Sequence, residues 1–165
     1  MSGAAFPGGR LQSRDRWNLE FLLLLAAVAA FAVAWLWVLN YTSLVAPVDN
    51  IEQLVWVRSL EWGYHKHPPL PTWLMWLPAH LFGVQKWTSY LTGAAVTLSG
   101  IGLLYLLLVD MRGRRHAAVA VLGVLCITYY NDRLYYYNHN VVLMACVSAA
   151  ALLCWKACES GSVRD

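Results

Sequence analysis

Long apolar runs separated by short polar clusters dominate this chain. The first run, from Phe21 to Leu39, has nineteen residues without a polar side chain. At about 1.5 Å of rise per residue, a helix of this length covers about 28 Å, which is enough to cross the hydrocarbon core of a bilayer. Further apolar segments follow at 87–109, 117–130 and 141–157. The pattern predicts an all-α integral membrane protein with about four transmembrane helices.

The second and third apolar segments each have a distinguishing feature. The second contains Gly93, Gly100 and Gly102, and small residues let helices approach closely in lipid. We therefore expect a helix–helix partner to pack along residues 93–102. The third has only fourteen residues, and it is short for a span unless the aromatic residues that follow also enter the interface.

The composition agrees with a membrane protein. The chain is 59% apolar and 13% charged, with a mean hydropathy of +0.48, whereas soluble domains average about 25% charged residues. A net charge of +3 is too weak and too dispersed to indicate nucleic acid binding. The cysteines lie in apolar segments or at the edge of the last one, so we expect small core residues rather than a disulfide framework. They are Cys126, Cys146, Cys154 and Cys158.

Arginines determine the predicted orientation. The tail before the first span and the turn at 111–116 both contain three arginines, and four alternating spans place them on one side. The positive-inside rule makes that side cytosolic, with both chain ends there. The expected location is a bacterial-type inner membrane. The first run exceeds a typical signal-peptide core and no small-residue cleavage site follows it, so we expect a retained anchor. The predicted segments are a cytosolic tail at 1–18, a first span at 19–40, an outer loop at 41–86, a second span at 87–110, a cytosolic turn at 111–116, the third and fourth spans within 117–157 with an outer polar-aromatic turn at 129–140, and a cytosolic tail at 158–165.

The outer loop begins with an amphipathic helical pattern. Ile51, Leu54 and Val55 share one face, so the helix is expected to lie flat on the membrane and to end near Gly63. Asp49 and Glu52 have the spacing of a capping box, in which Asp49 is the N-cap. A capping role is compatible with a catalytic one, because a cap position fixes a carboxylate at the edge of a helix.

A proline-containing cationic segment follows at residues 65–69, with the sequence HKHPP. Its prolines predict a stiff, extended strip, and alternate residues of such a strip point to opposite sides. This argues against metal chelation by His65 and His67. Two alternatives remain open, a clamp for a phosphate headgroup and ordinary attraction to anionic lipid. The next segment, 71–83, is apolar, contains Pro78 and predicts a re-entrant or interfacial helix.

A second polar cluster at 129–140 is expected on the same membrane face. Its five tyrosines are typical of an aromatic belt at the interface. The polar residues between the rings suit a sugar attached to a phosphate, although Asp132 and Arg133 could equally form a surface ion pair. The polar residues are Asp132, Arg133, Asn138, His139 and Asn140.

Together these segments resemble glycosyltransferase family 39, the group of protein O-mannosyltransferases and lipid A aminoarabinose transferases. The resemblance rests on an acidic residue after the first span, an amphipathic helix, and the sequence WGYHKHPPL at 62–70, and it extends over about 17–157. It implies the multi-span GT-C fold, a polyprenyl-phosphate-linked sugar as donor, and action on the outer face of the membrane. Members of the family are considerably longer, so we expect this chain to correspond to the N-terminal part of the fold.

The resemblance also implies roles for individual residues. Asp49 matches the catalytic base, Asn50 stands at a second acidic position, and Glu52 is the candidate to substitute for that carboxylate. His67 matches the contact to the donor phosphate, and Lys66 and Arg58 are further candidates. His139 and Asn140 lie in the place of a second outer motif, as substrate-binding candidates. No metal ligands and no cofactor are predicted, and a requirement for a divalent cation stays open.

A non-catalytic function is the alternative. A small membrane protein that binds lipid phosphate, or that assembles with partner helices through its glycine-containing span, would show the same composition. The expected partners of the transferase are the lipid-linked sugar and the bilayer.

Overall fold

The computed structural model describes the backbone of residues 9–127 and 134–161, and the side chains of residue 19 and of residues 21–127 and 134–161. This part of the chain is helical and contains no strand. The predicted all-α fold class is therefore confirmed. The described helices are α1 (Gly9–Thr42), α2 (Val48–Trp56), α3 (Pro69–Phe82), α4 (Lys86–Arg112), α5 (Arg114–Cys126) and α6 (His139–Glu159).

Three helices of the described part are long and apolar enough to cross a membrane. They are the stretch Phe21–Thr42 of α1, the whole of α4, and the whole of α6. The third predicted apolar segment appears as α5, which has thirteen residues. The rest of that segment lies partly outside the described residues, and its assignment as a span stays a prediction.

Side-chain contacts fix the direction of each helix. At one end of the bundle, the ammonium group of Lys86, the first residue of α4, donates to the carbonyls of Asn40 and Ser43 at the end of α1. Toward the other end, the rings of Phe21 and Tyr105 stack with centroids 5.7 Å apart. Helices α1 and α4 therefore run antiparallel, and Lys86 satisfies carbonyl groups that the helix terminus leaves without partners.

Helices α4 and α6 run parallel and in close contact. A Cβ atom added at Gly100 would lie 3.1 Å from Cα of Ala145 on α6, and one added at Gly93 would lie 2.7 Å from the carbonyl oxygen of Tyr136. At the far end, Asp110 and Lys156 approach to 3.8 Å. Gly93 and Gly100 thus fit the predicted role of small residues in helix packing, and their partner is this chain's own α6 with the segment before it. Gly102 faces open space.

Helices α2 and α3 lie at the end of the bundle where α4 and α6 begin. Their buried side chains share a small apolar core with the segment before α6, and Leu54 and Val96 pack against it. Members of this core are Val57, Met75, Ala79, Tyr137 and Val142. The core holds the two short helices over the ends of the longer ones.

Several local predictions are wrong. Helix α2 ends at Trp56, before the predicted C-cap Gly63, because the following residues form a separate loop. In that loop the hydroxyl of Tyr64 donates to the carbonyl of Ser59 and accepts from the backbone N–H of Glu61.

The cysteines also differ from expectation. All four are free thiols exposed on the bundle surface rather than core residues. A thiol is small and only weakly polar, so an outward position on an apolar helix leaves no strong hydrogen-bonding group unsatisfied.

Substituting Gly93 by alanine is expected to destabilise the protein. The added methyl group would meet backbone atoms of Tyr135 and Tyr136 that belong to a hydrogen-bonded segment. Overpacking of this kind costs about 1–3 kcal/mol, and thermal unfolding in detergent micelles would measure it. The matched control is Gly102→Ala, which meets no atom within 4 Å and is expected to be as stable as the wild type or more so. Equal melting temperatures for the two variants would contradict the close approach at Gly93.

Candidate active site at one end of the bundle

Asn50, on the first turns of α2, is the central residue of this end of the molecule. Its side chain is completely buried. The amide nitrogen donates to Ser89 Oγ at 3.0 Å and to the carbonyl oxygen of Tyr135 at 2.9 Å. The amide oxygen accepts from the backbone N–H of Tyr137 at 2.9 Å. One side chain therefore joins α2 to α4 and to the segment before α6.

Asp49, the neighbour of Asn50, reaches the same segment. Its Oδ2 accepts a hydrogen bond of 2.8 Å from Nδ2 of Asn138. The predicted capping box is wrong, because the N-cap of α2 is Pro47 and no side chain caps that terminus. Asp49 is instead inside the first helical turn, where the helix dipole favours a negative charge.

Glu52, one helical turn further along α2, pairs with the cationic segment. Its Oε1 lies 2.7 Å from Lys66 Nζ, and its Oε2 lies 3.6 Å from Nε2 of His67. The hydrogen bond to Glu52 raises the pKa of Lys66 above its usual value. The carboxylate thus balances the lysine's charge, and half of the lysine side chain remains exposed.

His67 is much less accessible than Lys66. Its side chain is 9% exposed, and its ring lies 4.3 Å, centroid to centroid, from the ring of His139. Trp56 meets the same ring edge-on at 5.4 Å. Burial, followed by the proximity of His139 and Lys66, lowers the pKa of His67 below its ordinary value of 6.5. The imidazole is therefore neutral at pH 7 and can act as a hydrogen-bond donor rather than as a cation.

Three polar atoms in this cluster are buried without a hydrogen-bond partner. They are Oε2 of Glu52, Nε2 of His67 and Nδ1 of His139. Buried polar groups are hydrogen-bonded in the great majority of cases, so such a group calls for an explanation. The three atoms belong to residues that contact one another, and they indicate a place where a polar ligand can complete the hydrogen bonding.

The cationic segment is a turn and not the predicted extended strip. Tyr64 and His67 exchange two backbone hydrogen bonds, of 3.2 and 3.4 Å. Pro68 then adopts an extended conformation as the N-cap of α3, and Pro69 is the first residue of that helix. Pro69 fits there because the first helical N–H has no partner in any case. The turn brings Lys66 and His67 to the same carboxylate, which an extended strip would not do.

Two buried hydrogen bonds hold α3 beneath this cluster. Thr72 Oγ1 donates to Oε1 of Gln53 at 2.8 Å, and the hydroxyl of Tyr137 donates to the carbonyl of Pro71 at 2.6 Å. Burial raises the pKa of the Tyr137 phenol, so this group remains a hydrogen-bond donor over the physiological range. These bonds fix the turn at residues 64–67 relative to α2.

The structure brings most of the predicted site residues together. Asp49, Glu52, Lys66, His67 and His139 form one connected cluster. Asn140 is exposed beside it, and its backbone N–H donates to the side chain of Asn138.

The remaining predicted residues lie elsewhere. Arg58 is exposed after α2, and no described side chain pairs with its guanidinium group. Asp132 and Arg133 lie outside the described residues.

Asn50 and Asn138 hold this cluster together, a role that the sequence analysis did not assign to either residue. Asn138 had one available signal, because asparagine directly before a helix is a favoured N-cap. Asn50 had none, since a polar residue one position after an acidic residue in a helix looks like part of a solvated face.

Within the described residues, no group of three histidine, cysteine, aspartate or glutamate side chains could hold a metal ion. The site is therefore built from hydrogen-bonding groups, one ion pair and aromatic faces. An arrangement of this kind can bind a phosphate and a sugar next to a carboxylate.

Comparison with protein families identifies the chain. The family model described as dolichyl-phosphate-mannose-protein mannosyltransferase matches residues 66–165, more than half of the chain. The chain belongs to the dolichyl-phosphate-mannose-protein mannosyltransferase family. The resemblance noted in the sequence is thereby confirmed, and the protein is a multi-pass membrane protein of the GT-C glycosyltransferase kind. No curated protein and no solved structure matches it.

The family match begins at Lys66, so Asp49 and Glu52 precede it. Both residues nevertheless contact matched positions, since Asp49 bonds Asn138 and Glu52 pairs with Lys66. Helix α2 is therefore in direct contact with the family-matched segment.

Replacing Asn50 by aspartate is expected to destabilise the protein. An aspartate has nearly the same shape, but it cannot donate to the carbonyl of Tyr135, and it would place a buried charge there. The loss of a buried donor costs at least about 1–3 kcal/mol, measurable as a lower melting temperature. Asn140→Asp, at an exposed position in the first turn of α6, is the stability control and is expected to melt at or slightly above the wild-type temperature. If Asn50→Asp has the melting temperature of the wild type at pH 7, the buried hydrogen-bond network does not have the described role.

Proposed function

We propose that this protein transfers a sugar from a polyprenyl-phosphate donor to a hydroxyl group of a lipid, glycan or protein. The reaction takes place on the outer face of a bacterial-type inner membrane. The observation that supports this most directly is the position of one carboxylate, Asp49, close to a lysine and two histidines at one end of a membrane helix bundle. Membership of the mannosyltransferase family supplies the class of reaction.

Lys66, His67 and His139 are the groups proposed to hold the donor phosphate. Lys66 is half exposed, so it can exchange Glu52 for a phosphate oxygen without a change of backbone. His67 and His139 each have a buried ring nitrogen without a partner, and a phosphate has oxygen atoms for both. The two rings are in contact, with centroids 4.3 Å apart, so one phosphate group can reach both histidines. Glu52 and Asn140 border this place, whereas Arg58 would need to turn toward it.

Asp49 is proposed to act as the general base. Asn138 occupies its Oδ2, and no described residue donates to Oδ1, which is therefore available to an acceptor hydroxyl. In the reaction the acceptor oxygen forms a bond to the anomeric carbon of the sugar. The bond from that carbon to the phosphate oxygen breaks, its electron pair stays with the phosphate, and the acceptor proton passes to Asp49. Polyprenyl phosphate leaves with an additional negative charge, which Lys66 stabilises.

The charge distribution supports the proposed orientation. Arg112, Arg114 and Arg115 lie at the end of the bundle opposite to the site, where α4 ends and α5 begins. Positively charged residues beside spans are enriched on the cytosolic side. With this end in the cytosol, both chain ends are cytosolic and the site faces outward.

The central test uses purified protein in nanodiscs with tritium-labelled polyprenyl-phosphate mannose. Release of polyprenyl phosphate reports transfer to any hydroxyl, including water. Asp49→Asn is expected to bind the donor but to release product about 10²- to 10⁴-fold more slowly, which is the usual contribution of a general base. Asp110→Asn, which removes a carboxylate from the far end of α4, is the matched control and should react at the wild-type rate. Wild-type release by Asp49→Asn, or no release by the wild-type protein, would contradict the proposal.

Glu52→Gln is expected to increase the affinity for the donor. The substitution removes the carboxylate that competes with phosphate for Lys66. Ion pairs of exposed lysines are weak, so the dissociation constant should fall by no more than about five-fold. Binding of the labelled donor to protein in nanodiscs measures this change.

The control for net charge is Glu61→Gln. Glu61 is an exposed carboxylate in the loop between α2 and α3, and it contacts Ser59 rather than Lys66. It should leave the affinity unchanged. Weaker donor binding by Glu52→Gln would show that Glu52 binds the substrate directly, and the counter-ion role would be wrong.

A further inference from the structure

The side chain of Asn138 makes two kinds of contact. Its Oδ1 accepts from the backbone N–H groups of Asn140 at 3.0 Å and Val141 at 3.2 Å, and it thereby caps the N-terminus of α6. Its Nδ2 donates to Oδ2 of Asp49 at 2.8 Å. The side chain is 5% exposed, so water competes little for either contact.

The two contacts determine the orientation of the amide. The free N–H groups of α6 require an acceptor, so the oxygen must face the helix and the nitrogen must face Asp49. Among the favoured N-cap residues, only asparagine offers an acceptor to the helix and an amide donor on its other side. Aspartate would cap equally well but would place a second carboxylate against Asp49. Serine would cap the helix but has no amide group to donate to Asp49.

The backbone on both sides of this contact is held in place. Asn50, adjacent to Asp49 on α2, binds the carbonyl of Tyr135 and the N–H of Tyr137, directly before Asn138. Helix α2 and the segment at 135–138 therefore cannot shift relative to each other without breaking buried hydrogen bonds. The carboxylate of Asp49 is fixed relative to α6 and to His139, the first residue of that helix.

We infer that Asn138 is a positioning residue that holds Oδ2 of Asp49 and directs Oδ1 toward the acceptor hydroxyl. This inference rests on the proposed role of Asp49 as the base. The side chain of Asn138 touches neither donor nor acceptor, and it acts by fixing the carboxylate to the N-terminus of α6. A displacement of about 1 Å at a reacting group can reduce a rate by about a hundred-fold, so the loss of this contact should affect turnover rather than donor binding.

The experiment uses the full chain in nanodiscs with three variants. Two are the single substitutions Asn138→Asp and Asp49→Asn, and the third combines them and is called the exchange. Asn138→Asp places two carboxylates across the contact, whereas Asp49→Asn keeps an acceptor oxygen there but removes its charge, which weakens the hydrogen bond. The exchange restores the hydrogen bond in reverse, with Asn at 49 donating to Asp at 138, which still caps α6. We expect both single variants to melt at a lower temperature and the exchange to recover most of that loss.

Kinetic constants with polyprenyl-phosphate mannose complete the test. Asn138→Asp and Asn138→Ser, which both keep a cap, should lower kcat on the order of a hundred-fold with little change in the donor KM. The exchange should remain inactive despite its recovered stability, because the carboxylate is then on the wrong residue. Gly100→Ala, which disturbs α6 at Ala145 away from the site, is the control for stability and should keep the wild-type kcat.

The outcomes separate this inference from the proposed function. If the exchange does not recover stability, or if Asn138→Ser turns over like the wild type, the positioning role is wrong while the transferase proposal stands. If the exchange recovers stability but the wild-type protein releases no polyprenyl phosphate, the transferase proposal fails, and the positioning role fails with it. Recovered stability together with a selective loss of kcat in the Asn138 variants supports the inference.

Discussion

The buried amide of Asn50 is the interaction on which the rest of this site depends. Chain segments at the end of a membrane bundle have backbone groups that neither a helix nor bulk water satisfies, and each such group is costly when buried. Asn50 satisfies a carbonyl and an N–H two residues apart, in the segment at 135–137. This fixes that segment against α2 and brings His139 to His67 and Asn138 to Asp49. The proposed base and the residues proposed to bind phosphate are thus held in place by the same side chain.

The helices were predictable because their signals are local and strong. Nineteen apolar residues in succession at 21–39 have few alternatives to a membrane helix, and the match of 141–157 to α6 has the same origin. The short elements were harder. The residues HKHPP predict an extended strip from proline stiffness alone, yet Tyr64 and His67 form a turn there. That turn is supported by contacts of Tyr64 with Ser59 and with the ring of Trp56, which lie outside the HKHPP segment and which local propensity does not include.

The candidate site was predictable in composition but not in its pairings. Charged and imidazole residues beside a bilayer indicate a site because they are costly to bury there, and Asp49, Lys66 and His67 could be named on that basis. The spacing of Asp49 and Glu52 suggested that they contact each other's backbone. Their actual partners, Asn138 and Lys66, lie 89 and 14 positions away in the chain. Such partners follow from how α2, α3 and α6 meet, which only the folded arrangement determines.

The ion pair of Glu52 with Lys66 has a consequence for the complete reaction cycle. In the empty site the lysine has a negative partner, and in the proposed complex a phosphate oxygen replaces that partner. When the product departs, the carboxylate returns, so the ammonium group is never left without a counter-ion at the membrane surface. In the proposed cycle the carboxylate stays beside the bound phosphate, and its repulsion opposes the tight retention of a product that leaves more negatively charged than the donor arrived. Under the proposed function, this glutamate favours release of the lipid phosphate over its retention.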